Sequence, residues 1–487
     1  MNNYETVIGL EVHVQIKTQS KLFCACPVQF AAPPNSQICP VCAGYPGSLP
    51  APNRKAVEYL VRTALALDCQ INERSVFARK QYFYPDLPKN YQISQYELPL
   101  AEKGFLEIKL NNDSKLKNIG ITRIHLEEDA GKLIHTPLNG TLVDLNRTGI
   151  PLMEIVSEPD LRSPEEAHAY LSHLKRILEY LEVSDCDMEK GSLRCDANVS
   201  IREPGTTALG TKVELKNMNS LRNVQEAIRY EAHRQSLAIA AGEQIRQETR
   251  LWDQDNSLTR PMRSKEQAHD YRYFPDPDLL PVVITNQEIA SIKSSLPELP
   301  AARHNRLQAD YQLSSYDAEV LTQDKMLAEY FERACAILSK TYDKATSAKS
   351  LSNWLTSELL GRLNNQGKTI RESPVKEPAL AELVGLILSN AISGKSAKSV
   401  FDEMWSSGKS AGVVVQEKGW GQVSDSELIE TWVLEAIRQN PKAAEEARNG
   451  KERALGALVG IVMKLSRGRA NPTLVNSLLN KKVLNKG

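Results

Sequence analysis

Cys24, Cys26, Cys39 and Cys42 crowd into a nineteen-residue window, CACPVQFAAPPNSQICPVC, and make up half of the eight cysteines in a chain of 487 residues. Their chemistry depends on the compartment. The N-terminal MNNYETVIGLEVHVQ has neither a basic leader nor a long apolar core, and no stretch reaches the ~18 uncharged apolar residues of a membrane span. The chain therefore reads as cytoplasmic and free of the membrane, with reduced thiols. Paired cysteines at these spacings then suit tetrahedral Zn²⁺, and Pro27 and Pro40, directly after Cys26 and Cys39, suit tight knuckle turns. Four small buried hydrophobes are the alternative. A closed four-thiolate site has no open position for a substrate, so it fixes a loop and the reaction lies elsewhere. Cys69, Cys186, Cys195 and Cys335 stand alone and read as core residues.

A second set of chemistry-bearing residues appears through the period of two expected of strands. In GLEVHVQI, Leu10, Val12, Val14 and Ile16 point one way, and Glu11, His13 and Gln15 the other. ITRIHLEED sets Arg123, His125 and Glu127 against Ile124 and Leu126. SLRCDANVSIR places Arg194, Asp196, Asn198 and Ser200 opposite Leu193, Cys195, Ala197, Val199 and Ile201. TKVELK places Lys212, Glu214 and Lys216 opposite Val213 and Leu215. If these strands share a sheet, Glu11, His13, Glu127, Asp196 and Glu214 lie on one surface. Converging carboxylates repel unless a cation sits between them, and oxygen ligands with one imidazole suit Mg²⁺ or Mn²⁺. Arg194 and Lys216, with Asn198 between them, could meet the phosphates such metals carry. The alternative is a half-buried sheet whose polar face simply meets water.

The elements that must position these residues fall into three regions. Residues 1–290 read as strands with a few helices, including a helix from Ser163 to about Leu181 with Ser163 and Glu166 as a capping box and Pro164 in its first turn. The strands ending at Arg202 and Lys216 read as a hairpin across EPGTTALG. Residues 291–375 read as a helical linker domain, and 376–487 as a wholly helical tail. In the tail, Ser424 and Glu427 suggest a second capping box, and Asn440-Pro441 and Asn471-Pro472 suggest helix starts.

Formal net charge is zero, with sixty basic and sixty acidic residues, so nucleic-acid binding would need a local patch. GRLNNQGKT is not a phosphate loop, because five residues separate its glycines where four are required and a helix precedes it. The two SGKS strings at 393 and 407 lack the first glycine and read as turns.

Several long strings carry a family resemblance. VIGLEVHVQI, KQYFYPDLPKNYQISQYELPL, HLEEDAGK, LNRTGIPLMEIVSEPDLRS, RCDANVSIR, ELKNMNSLRNVQEAI and MRSKEQAHDYRYFPDPDLLP resemble the B subunits of tRNA-dependent amidotransferases, and the tail resembles the YqeY-type module of that family. The likeness spans nearly the whole chain. It implies an α+β fold, with an antiparallel-sheet cradle similar to that of glutamine synthetase, a helical domain and an all-α tail. It also implies ATP-dependent phosphorylation of the side-chain carboxylate of mischarged Glu-tRNA(Gln) or Asp-tRNA(Asn). Ammonia released from glutamine by an A subunit would then displace the phosphate, while a C subunit would brace the assembly.

Roles follow from that resemblance. Glu11, His13, Glu127, Glu128, Asp196 and Glu214 become Mg²⁺ ligands or metal-positioning groups. Lys80 and Lys89, in ARKQYFYPDLPKNYQ, become partners for ATP phosphates or for the ammonia route, with Glu127 or Glu128 pairing with a lysine and accepting a proton. Lys451, Arg453, Lys464, Arg467 and Arg469 become a basic edge for tRNA. A ligase for a free acid would need no such tail, and a purely RNA-binding zinc protein no metal-suited strands.

Overall fold

The computed structural model describes residues 4–110, 116–136, 140–262, 271–423, 425–449, 451–466 and 468–483. Ser424 and Arg467 lie outside these residues. The chain forms two compact units, residues 1–300 and 301–487.

A nine-stranded sheet organises the first unit. Its spatial order is Leu258–Pro261, Glu248–Asp253, Val213–Lys216, Leu193–Arg202, Glu5–Gln15, Pro151–Ser157, Leu116–Glu128, Ala101–Lys109 and Gln70–Ile71. Every pairing is antiparallel except that of Val213–Lys216 with Glu248–Asp253. That parallel pair needs a long crossover, supplied by the helix Leu221–Ala240, whose start is fixed by the Ser220 side chain accepting from the Asn223 N–H. The expected hairpin forms, with Ala197, Asn198 and Val199 opposite Leu215, Glu214 and Val213.

The alternation seen in the sequence becomes the division between the two faces. Leu10, Val12 and Val14, with Cys195, Ala197 and Val199, lie in one core with Leu171, Leu174, Ala227 and Ile228 from two helices. The first of those helices, Pro164–Tyr180, starts as expected, with Ser163 accepting from the Glu166 N–H. The return half of the capping box differs: Glu166 accepts from the Arg162 N–H at 2.7 Å and pairs with Lys117 at 2.7 Å. Cys69, Cys186, Cys195 and Cys335 are all buried.

The second unit is helical. One core joins residues from Leu307 to Val414, and another joins Ile429 to Val483. Asn440 caps the helix Pro441–Arg448, which has Pro441 at its start, and Asn471 accepts from Thr473 at the start of Pro472–Val483. Asp425 caps Ser426–Gln439. The first SGKS string opens the helix Gly394–Ser407 with Ser393 as its cap, so it is a helix start and not a turn. Among the described residues, no helix is long and apolar enough to cross a membrane.

Candidate active site and thiol cluster

The sheet register decides which polar residues meet. Glu11 lies opposite Asp196, His13 opposite Arg194 and Glu154, Glu154 opposite His125, Leu152 opposite Glu127, and Asn198 opposite Glu214. The five positions Glu11, His13, Glu127, Asp196 and Glu214 therefore share one face. Glu127 and Glu214 are four strand spacings apart, about 19 Å at ~4.8 Å per strand, so a single ion cannot join them.

The face divides into three groups. In the first, His13 Nε2 lies 3.6 Å from Glu127 Oε1 and 3.5 Å from Glu154 Oε2, and His125 Nε2 lies 3.2 Å from Glu154 Oε2. One ligand atom each from His13, Glu127 and Glu154 falls within 4.8 Å of the others, a donor set that fits a hard divalent cation. Burial works against charge on His13, yet the hydrogen bond to Glu154 and the charges of Glu127, Glu154 and Asp196 raise its pKa to about 9. Burial likewise opposes ionisation of Glu154, and the neighbouring His125 and His13 outweigh it, holding that carboxyl well below its usual range. Without a cation the carboxylates favour a proton on His13, and a bound cation would take the place of that proton.

In the second group, Asn198 donates to Glu11 Oε1 at 3.0 Å, and Lys216 Nζ lies 2.6 Å from Asp196 Oδ2 and 3.0 Å from Glu214 Oε1. Thr249 donates to Glu214 at 2.7 Å. Glu11, Asp196 and Glu214 are thus each matched by a donor, and none of them joins the ligand-atom set of His13, Glu127 and Glu154. In the third group, Asp129 accepts from Arg194 at 2.8 Å and Gln15 at 3.0 Å, with Arg147 at 3.6 Å.

Strand alternation sends Glu127 and Glu128 to opposite sides. Glu127 joins His13. Glu128 turns away, accepting a hydrogen bond from Lys89 and another from the Ile93 N–H at 2.9 Å, with the two charged side chains only 8% and 2% exposed. Lys80 lies elsewhere: its ammonium sits 4.8 Å from the Tyr271 ring centroid and 5.9 Å from that of Tyr82. Tyr82, Tyr271 and Tyr273 follow one another edge to face, and Tyr273 stacks on Tyr96 at 4.3 Å. Burial, then the charge of Glu127, raises the pKa of both Tyr82 and Tyr273, which keeps these phenols protonated beside the carboxylate.

The cysteines meet as their spacing suggests. The four sulfurs lie within 4.8 Å of one another, with Cys42 Sγ 4.0 Å from Cys26 Sγ and 3.9 Å from Cys39 Sγ. A tetrahedron of ~2.3 Å Zn–S bonds has edges of about 3.8 Å, so the donor set fits zinc. The Cys39 N–H donates to Cys42 Sγ at 3.2 Å, and the Lys21 ammonium lies 3.5 Å from the same sulfur. The hydrogen bond from Cys24 leads in lowering the Cys42 pKa to about 4, against burial and with help from Cys39 and Lys21. Burial and neighbouring thiols raise that of Cys26 to about 11.

Periodicity and spacing alone pass over Glu154, Asp129, Tyr271 and Tyr273. Glu154 does leave a signal: it is the sole charge in PLMEIVS, a strand that otherwise reads as a continuous apolar run. Asp129 ends HLEED and is obscured by its two acidic neighbours.

Comparison with known proteins agrees with this organisation. The GatB/GatE catalytic domain matches residues 6–290, and the GatB domain matches residues 336–483. The chain is 54% identical over 489 residues to the B subunit of the aspartyl/glutamyl-tRNA(Asn/Gln) amidotransferase of Carboxydothermus hydrogenoformans, covering 99% of both chains. It is 54% identical over 478 residues to that of Thermodesulfovibrio yellowstonii, covering 98% of this chain and 99% of the relative. It is 53% identical over 485 residues to that of Geobacter sulfurreducens, covering 99% of both. Two family models that together span most of the chain, and full-length relatives at more than half identity, show that the chain belongs to the family of aspartyl/glutamyl-tRNA(Asn/Gln) amidotransferase B subunits.

Proposed function

We propose that this chain is the carboxylate-activating member of a glutamine-dependent ligase that makes Gln-tRNA(Gln) from Glu-tRNA(Gln), Asn-tRNA(Asn) from Asp-tRNA(Asn), or both. Its partners are a glutaminase A subunit and a C subunit, and its compartment is the cytoplasm, where translation draws on the product. The observation that carries this reading is the joining of His13, Glu127 and Glu154 on one face, next to a tyrosine wall that holds Lys80. In this reading the mostly antiparallel cradle is similar in fold to that of glutamine synthetase, which activates free glutamate by the same acyl-phosphate chemistry.

A carboxylate resists amide formation because oxide is a poor leaving group. In the first step a side-chain carboxylate oxygen attacks the γ-phosphorus of ATP, the bridging P–O bond breaks, and ADP leaves with the electron pair. His13, Glu127 and Glu154 would hold Mg²⁺, which when bound supplies neutralisation of phosphate charge. Lys80, Arg194 and Lys216 provide cationic partners and Asn198 a neutral donor; Asp129 orients Arg194, Asp196 and Glu214 orient Lys216, and Glu11 orients Asn198. Ammonia nitrogen then attacks the acyl carbon, phosphate departs, and the surplus proton passes to a carboxylate. Glu127, on the His13 face, is the carboxylate placed for that role. Glu128, paired with Lys89 and shielded from water on the other side of the strand, suits taking a proton from incoming ammonium on a dry route.

Cys24, Cys26, Cys39 and Cys42 would hold a structural zinc. Residues 1–290 form the catalytic domain in this reading, 291–375 a helical linker domain, and 376–487 the tRNA-binding tail. Lys451, Arg453, Lys464 and Arg469 supply its basic edge, all four exposed. The decisive assay combines the purified heterotrimer with ATP, glutamine and either Glu-tRNA(Gln), Asp-tRNA(Asn) or free glutamate. Amide formed on aminoacyl-tRNA alone is the expected result. Amidation of free glutamate, or no ATP-dependent amide on either tRNA, would overturn the reading.

A further inference from the structure

The cysteine loop and the Lys89–Glu128 pair are in direct contact. Gly44, two residues beyond Cys42, has φ +71°, and a Cβ built there would lie 2.6 Å from Lys89 Cγ and 3.1 Å from Lys89 Cα. The stem of Lys89 thus lies directly on the turn that closes the knuckle. That turn is well determined: the Ala43 N–H donates to Cys39 O at 2.9 Å, Gly44 to Val41 O at 3.1 Å and Tyr45 to Pro40 O at 2.8 Å. A second contact runs through Gly149, with φ +83°, whose Cβ position would meet Lys21 Cδ at 3.5 Å, Cys42 Cβ at 3.6 Å and Glu128 Oε2 at 3.8 Å. Lys21, Cys42 and Glu128 therefore surround one glycine.

Lys21 itself needs explanation. It is 1% exposed, and its ammonium reaches only Cys42 Sγ at 3.5 Å and Leu145 O at 3.3 Å among the described residues. A buried ammonium beside a neutral thiol would be left largely uncompensated, whereas beside a thiolate it forms an ion pair. Four thiolates on Zn²⁺ carry a net charge of −2, and Lys21 offsets half of it.

We propose that the thiolate knuckle is the platform that positions Lys89 and Glu128, with Lys21 as the cation that stabilises the metal-bound thiolates and Gly44 as the surface that sets the Lys89 stem. Lys21 and Gly44 are positioning residues, since neither needs to touch a reacting atom. Zinc occupancy then sets the geometry of the amide-forming centre. This rests on the reading that Lys89 and Glu128 serve amide formation.

The test uses the full heterotrimer and three variants. Lys21→Met keeps the stem and removes the charge. It should weaken zinc about 10- to 100-fold in competition with a chromogenic chelator, as loss of an outer-shell partner does. Gly44→Ala should keep stoichiometric zinc yet lower the rate of amide formation with ammonium salts, leaving the KM for aminoacyl-tRNA unchanged. Stripping zinc from the wild type should raise acylation of Lys89 by an amine-reactive ester, read by mass spectrometry, to the level of the exposed Lys132, while Lys80 stays constant. Wild-type zinc affinity in Lys21→Met, a wild-type rate in Gly44→Ala, or Lys89 still protected after zinc removal would each overturn the proposal. Lys89→Met separates the two levels. If it is inactive while Gly44→Ala is normal, the platform is wrong and the assigned role of Lys89 stands. If it amidates at the normal rate, the role of Lys89 fails and the proposal with it.

Discussion

Lys89 and Glu128 form an ion pair almost wholly out of water, with side chains 8% and 2% exposed. Removing one partner from a buried pair costs about 3–5 kcal/mol, because the other charge is stranded, whereas an exposed pair is worth ~0–1 kcal/mol. Lys89→Met should therefore lower the melting temperature markedly as well as abolish amide formation. Lys89→Met combined with Glu128→Gln removes the stranded charge, and should restore most of the stability and none of the activity. Thermal unfolding and amide formation measured on the same preparations check both halves. A double variant that regained activity would make the pair structural only.

Lys80 should behave differently. Its ammonium faces the rings of Tyr271 and Tyr82, where a cation–π contact contributes roughly 0.5–2 kcal/mol. Lys80→Met should cost little stability, abolish aminoacyl-tRNA-dependent ATP hydrolysis and resist rescue by ammonium salts. Rescue by ammonium with normal ATP hydrolysis would move Lys80 to the ammonia route.

These two lysines also mark how far the sequence can be read. Alternation in four strands is enough to put Glu11, His13, Glu127, Asp196 and Glu214 on one face, since a period of two is local physics. Which of them meet depends on strand order and register, set by contacts more than a hundred residues apart, as in His13 opposite Glu154. Glu154 is hidden because its strand is buried and apolar on both sides of it. The pairing of Lys89 with Glu128, rather than Glu127, follows from the side to which residue 128 turns at the end of its strand. The cysteine loop is legible because its ligands lie close in sequence, while Lys21, a single buried lysine, carries no pattern at all.

The His13 cluster predicts a metal-binding defect. Glu154→Gln keeps the shape of the side chain and removes one of the two carboxylates that face His13. Manganese affinity, measured by electron paramagnetic resonance on the heterotrimer with ATP bound, should fall at least as far as loss of an outer-shell partner would cause, about 10- to 100-fold. Glu214→Gln, four strands from Glu127, should leave that affinity close to wild type. Equal losses in both variants would mean that the ion sits elsewhere on the face.

Acid sensitivity of the helical unit should centre on Asp317. Burial tends to raise its pKa, but hydrogen bonds from Lys349 at 2.7 Å and Ser314 at 2.7 Å prevail and lower it. A carboxylate with a lowered folded-state pKa stabilises fully above its unfolded value, about 3.9, and that contribution disappears as the pH falls through the folded value. The wild type should therefore exceed Asp317→Asn in melting temperature at neutral pH, with the gap closing below about pH 4. A gap independent of pH would assign the effect to packing.

The tail gives the last prediction. Lys451, Arg453, Lys464 and Arg469 are exposed around the helix Glu452–Leu465, and the ammonium of Lys451 stands 3.7 Å from the exposed Glu446 carboxylate, a loose and well-hydrated pairing. Cations held so loosely are available to phosphate. If this edge binds the tRNA backbone, each lost contact should reduce the slope of log affinity against log salt by roughly 0.7–0.9. Replacing all four with Gln should raise the KM for aminoacyl-tRNA and flatten the salt dependence, without changing glutaminase activity or the amidation rate at saturating tRNA. Phosphate contacts carry no base identity, so Glu-tRNA(Gln) and Asp-tRNA(Asn) should weaken alike. A variant with unchanged KM and unchanged salt slope would make this edge an ordinary solvated helix face, and unequal losses between the two tRNAs would require a base-reading contact elsewhere.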